Sequence, residues 1–231
     1  MMTNKKRNII SLVLKALLAT VSLNGVLLSY LQGGSFSGRI FLYFTIQSNI
    51  WIGIISIIGF IFLAIDMAYR KTSLRRWFAI LEFIFTVSIL ITGIIFTAVL
   101  VPTMGKDAWS ISNILTHLIA PILAVTDFLF NKRHDSLKKS DIFYPLIPLG
   151  YYLLFSLIGF FLQWDFGTGN NYPYFFLNYA SPSGVFGISN QLPYFMGSFY
   201  WIVFIIALAS GLSIFLKWLT NKIHAREQQN D

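Results

Sequence analysis

The chain contains no cysteine. That excludes disulfides, thiolate metal sites and cysteine nucleophiles together. Charge is scarce as well. Only 11% of the 231 residues are Asp, Glu, Lys or Arg, where a soluble domain carries about a quarter. Three histidines are present, His117, His134 and His224. They are too few and too scattered for zinc, which takes three or four such ligands. No metal and no other cofactor is expected. No low-complexity tract, internal repeat or inverted symmetry organises the chain.

What is abundant is apolar sequence, at 56% of residues. It comes in runs near 20 residues long, the length that crosses about 30 Å of hydrocarbon at ~1.5 Å per residue. The expectation is an all-α, polytopic membrane protein forming one domain over residues 1–231, with six transmembrane helices. The spans fall near 9–31, 41–66, 77–101, 109–130, 142–163 and 194–219. The first follows a basic KKR and so mimics a signal peptide. It is longer than a usual signal h-region and lacks a small-x-small cleavage site, so a retained span is expected.

The formal charge of +8 does not read as a nucleic-acid surface, because the cations sit in the short gaps between apolar runs. Lys5, Lys6 and Arg7 precede the first span. Arg70, Lys71, Arg75 and Arg76 follow the second, and Lys132, Arg133, Lys138 and Lys139 follow the fourth. Lys217, Lys222 and Arg226 end the last. The other three gaps hold only Arg39 and Lys106. The positive-inside rule then places both termini in the cytoplasm of a multi-pass cell-membrane protein. Lys15, a few residues inside the first span, is expected to snorkel to the inner interface. The third outer loop, 164–193, is rich in aromatics, Gly, Asn and Pro, with Asp165 its only charge. It reads as a structured cap at the membrane interface.

Polar residues in the spans fall on faces. At 100° per residue, Asn49 lies about 40° from Thr45 and Ser56 about 20°, whereas Gln47 points about 200° away. Ser48 flanks the same stripe. In the fourth span Ser110, Asn113, His117, Pro121 and Ala124 share a face, and in the third Glu82, Thr86, Gly93 and Thr97 do so. These three stripes are expected to meet at one interior cavity. Thr45 lies roughly 6 Å below the outer edge, and Asn49 and His117 both near ~12 Å. Glu82 lies roughly 10 Å deeper than His117. Asp66 and Asp127 are expected to pair with the basic loops.

A lone intramembrane imidazole suits a general base. Thr45 and Ser48 are the hydroxyls at comparable depth, and a hydroxyl activated by His is an acyl-transfer arrangement. Asn49 or Gln47 would orient the imidazole or donate to an oxyanion. The alternative for Thr and Ser in such helices is a bond to their own i−4 carbonyl. For His117 it is an interhelical hydrogen bond, and for Glu82 a buried partner.

Four segments, YFTIQSN at the head of the second span, TH-LIA-P-ILAVTD in the fourth, FYPLIPLGYYLL in the fifth and YPYFFLN in the last outer loop, carry a resemblance. In this order they resemble bacterial six-span relatives of the androgen-induced-gene family. Animal members of that family look like threonine-dependent membrane hydrolases of fatty acid esters of hydroxy fatty acids. The resemblance implies Thr45 as nucleophile and His117 as base; Gln47, Ser48, Asn49, Asn113 and Glu82, read from the polar residues of the spans, are the candidate supporting residues. The chain departs from the pattern in having one histidine where animal members have two, in the His117-to-Pro121 spacing, and in Asn178 where bacterial relatives carry Asp. The implied ligand is a membrane lipid or lipid ester. Two other readings stand beside the hydrolase: a small-solute or ion transporter or channel, and a lipid-binding protein without catalysis.

Because the chain is cysteine-free, single cysteines report topology directly. Asn190→Cys should react with a membrane-impermeant maleimide in intact cells, and Lys138→Cys only after lysis. The reverse pattern would invert the orientation.

Overall fold

The computed structural model describes residues 4–69, 76–131, 137–167 and 169–228. Several cations behind the topology reading, Arg70, Lys71, Arg75, Lys132 and Arg133, lie outside the described residues, as does His134. The described chain is helical, with isolated bridges only at Gly167–Asn170 and Ile188–Met196. Six helices are long and apolar enough to cross a membrane. They contain α1 (Asn4–Gln32), α2 (Phe44–Tyr69), α3 (Arg76–Met104), α4 (Ile111–Phe130), α5 (Leu146–Phe161, which reaches spanning length as Lys139–Phe161 with the turn before it) and α6 (Ser198–Gln228). A 3-10 segment, Gly34–Leu42, joins α1 to α2, and another, Lys139–Phe143, leads into α5.

α3 is the axle of the bundle. It packs against α2, α4, α5 and α6, and its apolar window is the most buried of the six. α1, α2, α3 and α4 form a four-helix group, with α5 and α6 completing the far side of α3. Apolar burial gives helices in lipid little reason to associate, so small and hydroxyl residues that permit close packing matter more. Gly93 of α3 lies against the backbone of α4. A Cβ there would stand 2.7 Å from the His117 carbonyl oxygen and 3.0 Å from Pro121 Cγ. α6 is the opposite case, offering lipid Phe199, Val203, Phe204, Ile214, Phe215 and Trp218.

Two π-helical turns interrupt the spans, Phe96–Leu100 in α3 and Leu115–Ile119 in α4. Each is followed within two residues by a proline, Pro102 and Pro121. Proline has no N–H and its ring clashes with the carbonyl four residues back, so a local widening of the helix accommodates it. His117 lies inside the second π turn. Gly105, at φ 63°, turns the chain out of α3.

The two termini lie at one end of the bundle. Arg7 donates to the Phe130 carbonyl at 3.0 Å, and Lys217 to the Leu137 carbonyl at 2.9 Å. At this end Arg76 also grips both Asp141 carboxylate oxygens, at 2.7 and 2.9 Å. The opposite end is closed by the long loop between α5 and α6. Phe166, Phe176 and Leu177 of that loop are buried. Tyr43 donates to the Phe166 carbonyl at 2.8 Å, and Arg39 pairs with Asp165 at 2.9 Å. The loop is thus a packed cap, as its composition indicated.

Two expectations about charge are corrected. Lys15 does not snorkel: it is 1% exposed and ion-paired with Glu82 and Asp127. Asp127 accordingly pairs inside the bundle rather than with a basic loop. Two carboxylates within reach of the ammonium outweigh the distance to water.

Gly93→Ala should destabilise the protein by ~1–3 kcal/mol, because the atoms it meets are backbone and a proline ring. Gly211, with nothing within 4 Å of its Cβ position, should tolerate alanine. Thermal unfolding in detergent measures both.

Candidate functional site

At the capped end a cavity of about 60 Å³ opens among α2, α3, α5, α6 and the loop. Its wall is hydrocarbon and aromatic rings, including Phe44, Phe96, Tyr152 and Phe176. The polar atoms at its edge come from Thr45, Thr92 and the two tyrosines Tyr152 and Tyr174. Tyr152 donates its hydroxyl to the Leu42 carbonyl at 3.0 Å. Tyr174 instead meets Thr45, with its hydroxyl oxygen 3.4 Å from both the Thr45 hydroxyl and the Thr45 backbone nitrogen. Thr45 stands in the first turn of α2, where backbone N–H groups have no helical partner. One phenol oxygen therefore caps the helix start and touches the candidate nucleophile.

Below Thr45 the polar stripe of α2 is tied to its neighbours. Ser48 donates to the Thr45 carbonyl and bonds the Thr92 hydroxyl, both at 3.0 Å. The Asn49 amide donates to the Thr45 carbonyl at 2.8 Å and to the Thr116 carbonyl at 3.2 Å. Ser48 thus fastens α2 to α3, and Asn49 fastens it to α4 beside His117.

His117 is 6% exposed and lies flat against Phe96, with ring centroids 3.8 Å apart and planes 9° apart. The backbone carbonyl of Thr92 faces the imidazole. Its Nδ1 has no hydrogen-bond partner among the described residues, and neither has the Asn49 side-chain oxygen. A buried polar atom left unpaired costs roughly 1–3 kcal/mol, so these two atoms call for a partner such as an ordered water or a bound ligand. Phe96 also lines the cavity, whereas His117 does not. No direct hydrogen bond joins Thr45 to His117.

The remaining candidates are placed elsewhere. Gln47 donates to the Phe41 carbonyl at 3.0 Å, off the stripe, as its angle indicated. Asn113 donates to the Ala108 carbonyl at 2.9 Å and serves the start of α4 together with the cap Ser110. Glu82 belongs to a second cavity with Lys15, Ser56, Thr86 and Asp127. The stripes therefore serve two cavities rather than one, and the two share no lining residue. Among the described residues no three His, Asp or Glu side chains are grouped to hold a metal ion.

Tyr174, Tyr152 and Phe96 were not singled out from sequence. Tyr174 lies within YPYFFLN, a stretch that carried the family resemblance, but nothing in a loop sequence says which aromatic turns inward. Comparison of the chain with protein-family models, curated proteins and solved structures finds no match.

Burial pushes the Tyr174 hydroxyl up from 10.0 to about 12, against smaller downward contributions from its bonds to Thr45. Tyr172, hydrogen-bonded to Tyr194 at 3.3 Å, is also pushed up to about 12, by burial first. Their contribution to stability is complete below the ordinary tyrosine value and is lost as pH rises from 10 towards 12. Absorbance titration should reveal late-ionising tyrosines, and Tyr174→Phe should remove one from that class.

Proposed function

We propose that the protein is a membrane-embedded hydrolase of lipid esters, related to the androgen-induced-gene hydrolases that its motifs resemble. The observation that carries this reading is the Thr45 hydroxyl at the edge of an apolar, largely aromatic cavity. Thr45 Oγ1 attacks the ester carbonyl and gives up its proton. The alcohol departs with a proton, and water then releases the fatty acid from the acyl-threonine. His117, whose Nδ1 is buried and unpaired among the described residues, is the base, reached when the Phe96 ring turns aside. Tyr174 stays a neutral phenol up to about 12, so it can donate to the oxyanion at any physiological pH.

With the basic gaps facing the cytoplasm, the cavity lies in the outer leaflet of the cell membrane. The loop covers its mouth, and the partner is a membrane lipid. The separation of the two cavities weighs against a continuous solute path and so against a channel. A second reading, lipid binding without turnover, is favoured by the missing bond between Thr45 and His117. It predicts that a lipid ester binds and is recovered intact.

Purified protein should be labelled by a fluorophosphonate probe at Thr45. Thr45→Ala should abolish labelling, His117→Ala should slow it by about 10²–10⁴-fold, and Tyr174→Phe by ~10²-fold. Labelling that survives both Thr45→Ala and His117→Ala would remove the hydrolase reading.

A further inference from the structure

The turn that leads into α5, at the end of the bundle that carries the termini, is held by cations from two other helices. Arg76, at the start of α3, donates to Asp141 Oδ1 at 2.7 Å and to Oδ2 at 2.9 Å. Lys217 of α6 donates to the Leu137 carbonyl at 2.9 Å. Lys138 and Lys139 stand between these two anchors, and both are exposed. Four cations from three parts of the chain therefore gather around residues 137–141. Arg76, Lys139 and Asp141 all act electrostatically on Lys217.

The acid among them is spent. Asp141 is 1% exposed, and its Oδ2 also accepts the Lys138 backbone N–H at 2.7 Å. Lys138, Lys139 and Lys217 have no carboxylate partner among the described residues. An ammonium has three donors, and the Leu137 carbonyl takes one from Lys217. Like charges held together repel one another, and an anion placed among them removes that cost. The surroundings are those of a membrane interface, where indole rings settle. Trp77 follows Arg76 and Trp218 follows Lys217 in the chain, and both rings are exposed. Lys222 Nζ stands 4.7 Å from the centroid of the Trp218 ring. Further into the spans the exposed side chains are apolar, Phe143 and Ile147 beyond the turn and Ile214 and Phe215 on α6.

We propose that this cluster binds the phosphate headgroup of an anionic phospholipid. Lys139 and Lys217 donate to the phosphate oxygens in charge-assisted hydrogen bonds. Arg76 stays on Asp141 and adds its charge. The acyl chains lie along the exposed apolar side chains of α5 and α6. A phosphate from solution would meet the same cations and leave the indoles and apolar flanks uncovered. A lipid covers both, and basic clusters between spanning helices suit acidic headgroups in this way. The bound lipid joins α3, α5 and α6 from outside. The site lies at the far end of the bundle from the Thr45 cavity and does not depend on the chemistry there.

Native mass spectrometry of the purified full-length protein tests this, with phosphatidylglycerol and phosphatidylcholine offered in equal amounts. The wild-type protein should retain phosphatidylglycerol in preference. Lys139→Gln should lower that preference about fivefold, and Lys217→Gln by a similar factor. Lys106→Gln, at the other end of the bundle, should leave it unchanged. Lys139 is exposed and makes no hydrogen bond or ion pair, so its variant keeps the question open to a result even if Lys217→Gln fails to fold. Equal retention of the two lipids by the wild-type protein would overturn the proposal. A preference that survives Lys139→Gln, or that falls as far with Lys106→Gln, would also overturn it and leave only the general attraction of a basic protein. Displacement of the lipid by millimolar inorganic phosphate would assign the cluster to a soluble anion instead.

Discussion

A polar group inside hydrocarbon has no water to turn to, so every donor and acceptor in the spans must find a partner within the bundle. The architecture follows from that constraint. Asn49 reaches two carbonyls on two helices, and Ser48 bridges α2 to α3. Lys15 draws α3 and α4 around α1. These contacts need close backbones, which Gly93 and Gly59 allow and a larger residue would prevent. Polarity and small size thus act together: one supplies the directional bond, the other the distance at which it forms.

Against that rule, the few exceptions are informative. The His117 Nδ1 and the Asn49 side-chain oxygen are buried and unpaired among the described residues, at the level of a π turn that Pro121 imposes. Gln47 Oε1, Ser198 Oγ and Trp201 Nε1 are also buried without a partner among the described residues, but only the His117 and Asn49 atoms lie together beside the tied stripe of α2. The Ser56 and Thr86 side chains line the small cavity beside the ion-paired centre. The molecule therefore has two polar levels with different chemistry. The upper is built from hydroxyls, phenols and an imidazole, and the lower from full charges.

The six helices were legible in the sequence because their signal is length and hydropathy, which tolerate small errors of position. Angular reasoning placed Thr45, Ser48 and Asn49 on one face of α2 and sent Gln47 elsewhere, since a regular helix preserves 100° per residue. It misplaced the outcome for Glu82 and Thr86, because a face gives direction but not depth of contact with a partner. Lys15 was misread for the same reason. A lysine near a helix end snorkels only if no carboxylate waits inside, and Asp127 is more than a hundred residues away in the chain. Tyr174 was out of reach, because its position depends on how an irregular loop folds back over α2. The π turns could have been suspected from Pro102 and Pro121, but not the stacking of Phe96 on His117.

The central functional claim is that Thr45 carries the acyl group during turnover. Brief incubation with an activated long-chain acyl ester, followed by acid quench and peptide mass spectrometry, addresses it most directly. An acyl mass on the peptide containing Thr45, absent from the Thr45→Ala protein, is the predicted result. Stoichiometric binding of the ester with no acylated peptide, or an acyl group on another residue, would contradict it.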